Sequence, residues 1–102
     1  MHELIDIYEL LRGYNLCANQ SQFSRDWLGR SDGYYAYLLS AGADANPASL
    51  GMLSARISNI LVLSAGKLDE GDRKRLLKAA VTAGLLMFRE KSREPRHVRP
   101  RD

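Results

Sequence analysis

The chain has 102 residues, 45% of them hydrophobic and 26% charged, with a formal net charge of +3. That length holds one core without staples, the single Cys17 excludes an internal disulfide, and the longest apolar run, residues 79–88, is half of the roughly 20 residues that span a bilayer. The opening "MHELIDIYEL" carries acids where a secretion signal is basic, so a soluble cytoplasmic protein is expected.

The first helix is read from Leu4, Ile7, Tyr8 and Leu11, which fall on one helical face and stop near Gly13. A second, about 20–28, opens on a capping box. Asn19 accepts from the Gln22 amide and Gln22 reaches back, while Phe23 and one or both of Trp27 and Leu28 turn inward and Gly29 ends it. Ser31 then caps a third helix, 31–40, with Asp32 at the positive end of its dipole. Tyr35, Leu38 and Leu39 are its inward positions, and Gly42 closes it.

The fourth start is an Asn46 cap with Pro47 at the first helical position. Leu50, Leu53, Ile57, Ile60 and Leu61 supply its apolar stripe. A fifth helix, about 69–91, begins with Asp69, Glu70 and Asp72, a helix start and not a calcium loop. Leu77, Val81, Gly84 and Phe88 form one stripe along it. A second set, Leu76, Ala80, Ala83, Gly84 and Met87, combines small and apolar residues and is read as a surface for pairing with another copy, the alternative being that this helix closes the core over the first. Residues 93–102 read as a basic flexible tail, leaving 1–92 as one helical domain. The fold class is all-α, a compact five-helix bundle containing a helix-turn-helix.

Charge refines the picture. Residues 89–102 hold six Lys/Arg and three acids, which accounts for the whole excess, so residues 1–88 are neutral. Net charge alone therefore does not argue for nucleic acid. His2 and His97 lie at opposite ends, Cys17 has no His or acid at a catalytic spacing, and there is no glycine-rich phosphate loop. No metal, cofactor or enzyme activity is implied, and Cys17 reads as a small buried hydrophobe.

The second and third helices, joined by "GRS", have the layout of a helix-turn-helix. Over residues 3–65 the chain resembles the phage-repressor or Cro-type DNA-binding domain. Gln20 follows the second helix's cap, and Phe23 and Ser24 stand at the family's Leu-Ala pair. Gly29 and Ser31 match its turn and recognition-helix cap, Tyr35 and Leu38 its inward positions, Gly42 its loop glycine, and Pro47, Leu50 and Leu53 its next helix. The interval from Ser24 to Gly29 is one residue longer than in that family, so the second helix has to carry an extra residue.

The resemblance implies a dimeric transcriptional regulator of bacterial or phage type, binding double-stranded DNA with the third helix in the major groove. Its contact residues would be Gln20, Gln22, Arg25, Arg30, Ser31, Asp32, Gly33, Tyr34 and Tyr37. The tail arginines Arg93, Arg96, Arg99 and Arg101 would add phosphate contacts. Two such helices would sit about 34 Å apart across a dimer. A different reading, favoured by the neutral body and by Asp32, is a protein-protein interaction module on the same bundle, with its tyrosines and fifth helix as the contact surface.

Overall fold

The computed structural model describes residues 2–64 and 66–98, with side chains described as far as residue 88. Its elements are all helical: α1 (His2–Gly13), α2 (Gln20–Gln22, continued as a π-helix over Phe23–Trp27), α3 (Tyr34–Ala41), α4 (Pro47–Leu63) and α5 (Glu70–Val98). Among the described residues there is no strand.

The caps explain most of the boundaries. Asn19 accepts the Gln22 amide at 2.9 Å, and the Gln22 side chain accepts in return from the amide of Ala18. Asn46 accepts the Ser49 amide at 3.1 Å with Pro47 behind it, and Asp69 accepts the Asp72 amide at 2.8 Å to open α5. At the other end of α1 the left-handed residue is Asn15 (φ 61°), not Gly13. Asn tolerates that conformation, and it lets Leu16 N–H bond back to the Leu11 carbonyl. Tyr14 donates its hydroxyl to Asp72 at 2.8 Å, and Arg75 donates to both, which ties the end of α1 to the start of α5. These bonds lift the Arg75 guanidinium pKa further, Tyr14 contributing most.

The core joins all five helices. Leu4, Ile7, Tyr8 and Leu11 of α1 meet Phe23, Trp27 and Leu28 from α2 and its exit, Tyr35 and Leu38 of α3, and Leu50, Leu53 and Ile57 of α4. At its centre three rings from three helices touch: Tyr8–Phe23 at 5.1 Å, Tyr8–Tyr35 at 4.9 Å, and Phe23–Tyr35 at 4.9 Å, the last edge to face. Cys17 is buried there too, its thiol donating to the Asn19 carbonyl. Leu39, expected inward, is partly exposed because the eight-residue α3 turns only one narrow stripe to the core.

Three expectations about α5 need correction. Leu76, Ala80 and Ala83, expected on a pairing surface, are buried against the chain's own core. Their companions Gly84 and Met87 pack on α4: a Cβ on Gly84 would stand 3.8 Å from Ser54 Oγ, and one on Gly51 would stand 3.1 Å from Met87 Sδ. Ser54 also donates to the Ala80 carbonyl at 2.8 Å, a bond open only where small residues let two helices approach. Consequently Leu77, Val81, Leu85 and Phe88 face outward, each 52–62% exposed. The helix also runs to Val98, past Pro95. Proline removes one backbone bond, and the Glu, Lys and Arg around it are good helix formers. Of the tail arginines, Arg93 and Arg96 have only their backbone described, within α5, and Arg99 and Arg101 lie outside the described residues.

Candidate nucleic-acid interface

The segment from Phe23 to Tyr37 is built around a wide turn. In the π-helix the Leu28 amide bonds to the Phe23 carbonyl, five residues back, at 3.0 Å. The Arg30 amide then reaches the Ser24 carbonyl, six residues back, at 2.8 Å. The long interval between Ser24 and Gly29 is taken up here, and the widened turn keeps Phe23, Ser24, Trp27 and Leu28 all buried. Gly29 follows at φ +67°, and a Cβ there would meet Met52 Sδ at 2.5 Å. Left-handed backbone and a crowded approach from α4 both favour glycine.

The third helix starts later than expected. Its first residue is Tyr34, and Ser31 and Asp32 precede it in a turn closed by Tyr34 N–H to the Ser31 carbonyl at 3.1 Å. Neither Ser31 nor the N-cap residue Gly33 caps it by side chain. Ser24 does so from the preceding helix. Its buried hydroxyl accepts the Tyr35 amide at 2.9 Å and donates to the Gln20 carbonyl at 3.0 Å. One small side chain thus satisfies an orphan amide of α3 and locks its approach to α2.

Outward, the expected contact residues divide into four groups. Arg25 and Asp32 pair with each other at 3.2 Å, both well exposed. Arg30 lies over the ring of Tyr34, 4.8 Å from its centroid, and the Tyr34 hydroxyl accepts the Asn46 amide at 2.9 Å. Tyr34 is therefore a half-buried tie to the start of α4, a role that sequence reading missed, since nothing local to Tyr34 signals a bond to an amide twelve residues on. Ser31, Gly33 and Tyr37 are exposed, Tyr37 at 60%, along with Ala36. Gln20 is exposed at the start of α2, and Gln22 has its side-chain oxygen engaged by the Ala18 amide.

The ridge from Arg25 to Tyr37 thus presents two guanidinium groups, the two carboxylates of Asp26 and Asp32, a serine hydroxyl and a phenol on a backbone fixed from beneath. Such groups hydrogen-bond and stack; none stands as a nucleophile beside a base. Among the described residues no group of three His, Cys, Asp or Glu side chains could hold a metal ion, and no helix is long and apolar enough to cross a membrane.

No curated protein and no solved structure matches the chain. Residues 4–85 match the model of a family of unknown function (DUF6626), a span that takes in α1 to α4, the ridge and the part of α5 packed on α4. The chain belongs to that family.

Proposed function

We propose that this protein binds duplex DNA as a dimer, using the turn before α3 and the outward side of that helix against the major groove. The observation that carries the reading is the Ser24–Tyr35 join, which holds α3 rigidly across α2 while leaving Arg30, Ser31, Gly33, Ala36 and Tyr37 exposed. The resemblance of residues 3–65 to the repressor-type domain supports it. In this arrangement Tyr37 touches a thymine methyl or a phosphate, Asp32 accepts from a cytosine amino group, and Arg30 reaches a phosphate. Arg25 reaches the backbone once it leaves Asp32.

Phosphate contacts supply most of the affinity, so binding should weaken steeply with salt. Fluorescence anisotropy with mixed-sequence duplexes at two salt concentrations tests this. Arg30→Ala should weaken binding and reduce the salt slope by about one, and Asp32→Asn should tighten binding by freeing Arg25 and removing a repelling charge. Absence of binding tighter than micromolar, or indifference to both substitutions, overturns the reading.

A second reading rests on the Arg25–Asp32 pair and the neutral charge of residues 1–88. Both lower the attraction for phosphate and favour a protein-interaction module. That reading gains if duplex fails to bind in the same assay.

A further inference from the structure

An open groove of about 400 Å³ runs between α1 and α5. Glu3, Asp6, Ile7 and Leu10 line its α1 wall, and Arg75, Lys78, Ala79 and Thr82 its α5 wall. The charged residues of each wall stand three apart in sequence, so each pair projects from one helical face. Both acids belong to α1 and both cations to α5. Between them Ile7 and Ala79 are buried and Leu10 is half-buried, which gives the groove an aliphatic floor.

Tyr14 joins the end of α1 to Asp72 and Arg75 at the start of α5, so the two helices run past each other in opposite directions. Leu10 and Arg75 therefore stand at one end of the groove, and Glu3 and Thr82 at the other, about 10 Å away along α5. Asp6 and Lys78 fall between. Neither of these two forms an ion pair or hydrogen bond among the described residues. They line one groove from opposite sides without joining across it.

Arg75 is already engaged. Its Nη1 donates to Tyr14 and to Asp72, and the Asp72 carboxylate offsets its charge. Lys78 is thus the seat for an anion, and Asp6 the seat for a cation. A lone anion in the groove would face Glu3 and Asp6, and a lone cation would face Lys78 and Arg75. A molecule carrying both signs matches both walls, and a hydrocarbon part between its charges covers the floor. The volume suits a small molecule, near the lower end of the usual range.

We propose that this groove binds a small aliphatic zwitterion, its carboxylate on Lys78, its ammonium on Asp6 and its hydrocarbon part on Ile7, Leu10 and Ala79. The groove shares no residue with the ridge from Arg25 to Tyr37, and the proposal stands whether or not that ridge meets DNA.

Amide chemical-shift titration of the full chain tests it with two probes, L-leucine, whose charges lie close together, and ε-aminocaproate, whose charges lie far apart. The expected result is saturable binding of at least one of them in the millimolar range, with shifts centred on residues 3–10 and 75–82. Lys78→Gln and Asp6→Asn should each weaken that probe by about three- to tenfold, both positions being exposed. Analogues without the ammonium (N-acetylleucine, hexanoate) should bind more weakly than their parents, and Asp6→Asn should weaken them no further. Analogues without the carboxylate (leucine methyl ester, hexylamine) should behave likewise toward Lys78→Gln. Absence of a saturable shift with either probe overturns the site. Binding that both substitutions leave unchanged overturns the assignment of Lys78 and Asp6, and single-charge analogues that match their parents overturn the zwitterion.

Discussion

The hydroxyl of Ser24 accepts the backbone amide of Tyr35 at 2.9 Å inside the core, eleven residues along the chain and across a turn. Everything outward of that bond, from Arg25 to Tyr37, takes its position from it. Ser24→Ala leaves the Tyr35 amide buried without an acceptor, at a cost of about 1–3 kcal/mol. Urea unfolding at fixed protein concentration should show the loss as a lower midpoint with an unchanged slope. A change below a few tenths of a kcal/mol would mean that α3 is held by packing alone.

Gly29 is the second determinant of the ridge. At φ +67° any L-side chain is strained, so Gly29→Ala should cost about 1–2 kcal/mol in the same experiment. The clash with Met52 is with the movable end of a side chain, so Met52→Ala beside Gly29→Ala should recover only a minor part of the loss. Full recovery would place the penalty in the crowding and not in the backbone.

Tyr35 predicts a pH dependence. Burial, reinforced by Tyr8 and Glu9, raises its phenol from 10.0 to about 12. The folded protein therefore keeps this proton where the unfolded chain releases it. Its contribution is complete below pH about 10 and is lost as pH climbs toward about 12, roughly 2–3 kcal/mol over that window. Unfolding midpoints recorded across this range should fall less steeply for Tyr35→Phe than for the wild type. Equal slopes would show that Tyr35 does not carry the effect.

Cys17 should be inert in the folded state. Burial pushes its thiol upward, outweighing the nearby charge of Arg12, which acts the other way. Labelling by a thiol reagent at mildly alkaline pH should be slow and should accelerate on adding denaturant. Fast labelling of native protein would show that the region around Asn15 to Asn19 opens readily.

The parts legible in the sequence are those decided locally. Asn19, Asn46 and Asp69 cap helices because their side chains reach an amide three residues on, a property of residue type and spacing. The stripe of Leu4, Ile7, Tyr8 and Leu11 was readable because it has no rival face on α1. α5 carries two apolar stripes side by side, and periodicity cannot choose between them. The choice falls to Gly51, Ser54, Ala80 and Gly84, whose small size lets α4 approach only one. Likewise Ser31 has the residue type of a cap, but the amide of Tyr35 finds its acceptor on another helix, and α3 begins at Tyr34. The Arg25–Asp32 and Arg30–Tyr34 contacts depend on that wide turn, which the Ser24–Gly29 interval signalled only as one residue too many.

The central claim is that the outward side of the turn and of α3 meets duplex DNA. Amide chemical-shift mapping during titration with a duplex tests it most directly. The account predicts shifts concentrated from Arg25 to Tyr37 that fade as salt is raised. An unchanged spectrum, or shifts confined to the Val62–Leu63 and Leu77–Phe88 surface, would contradict it.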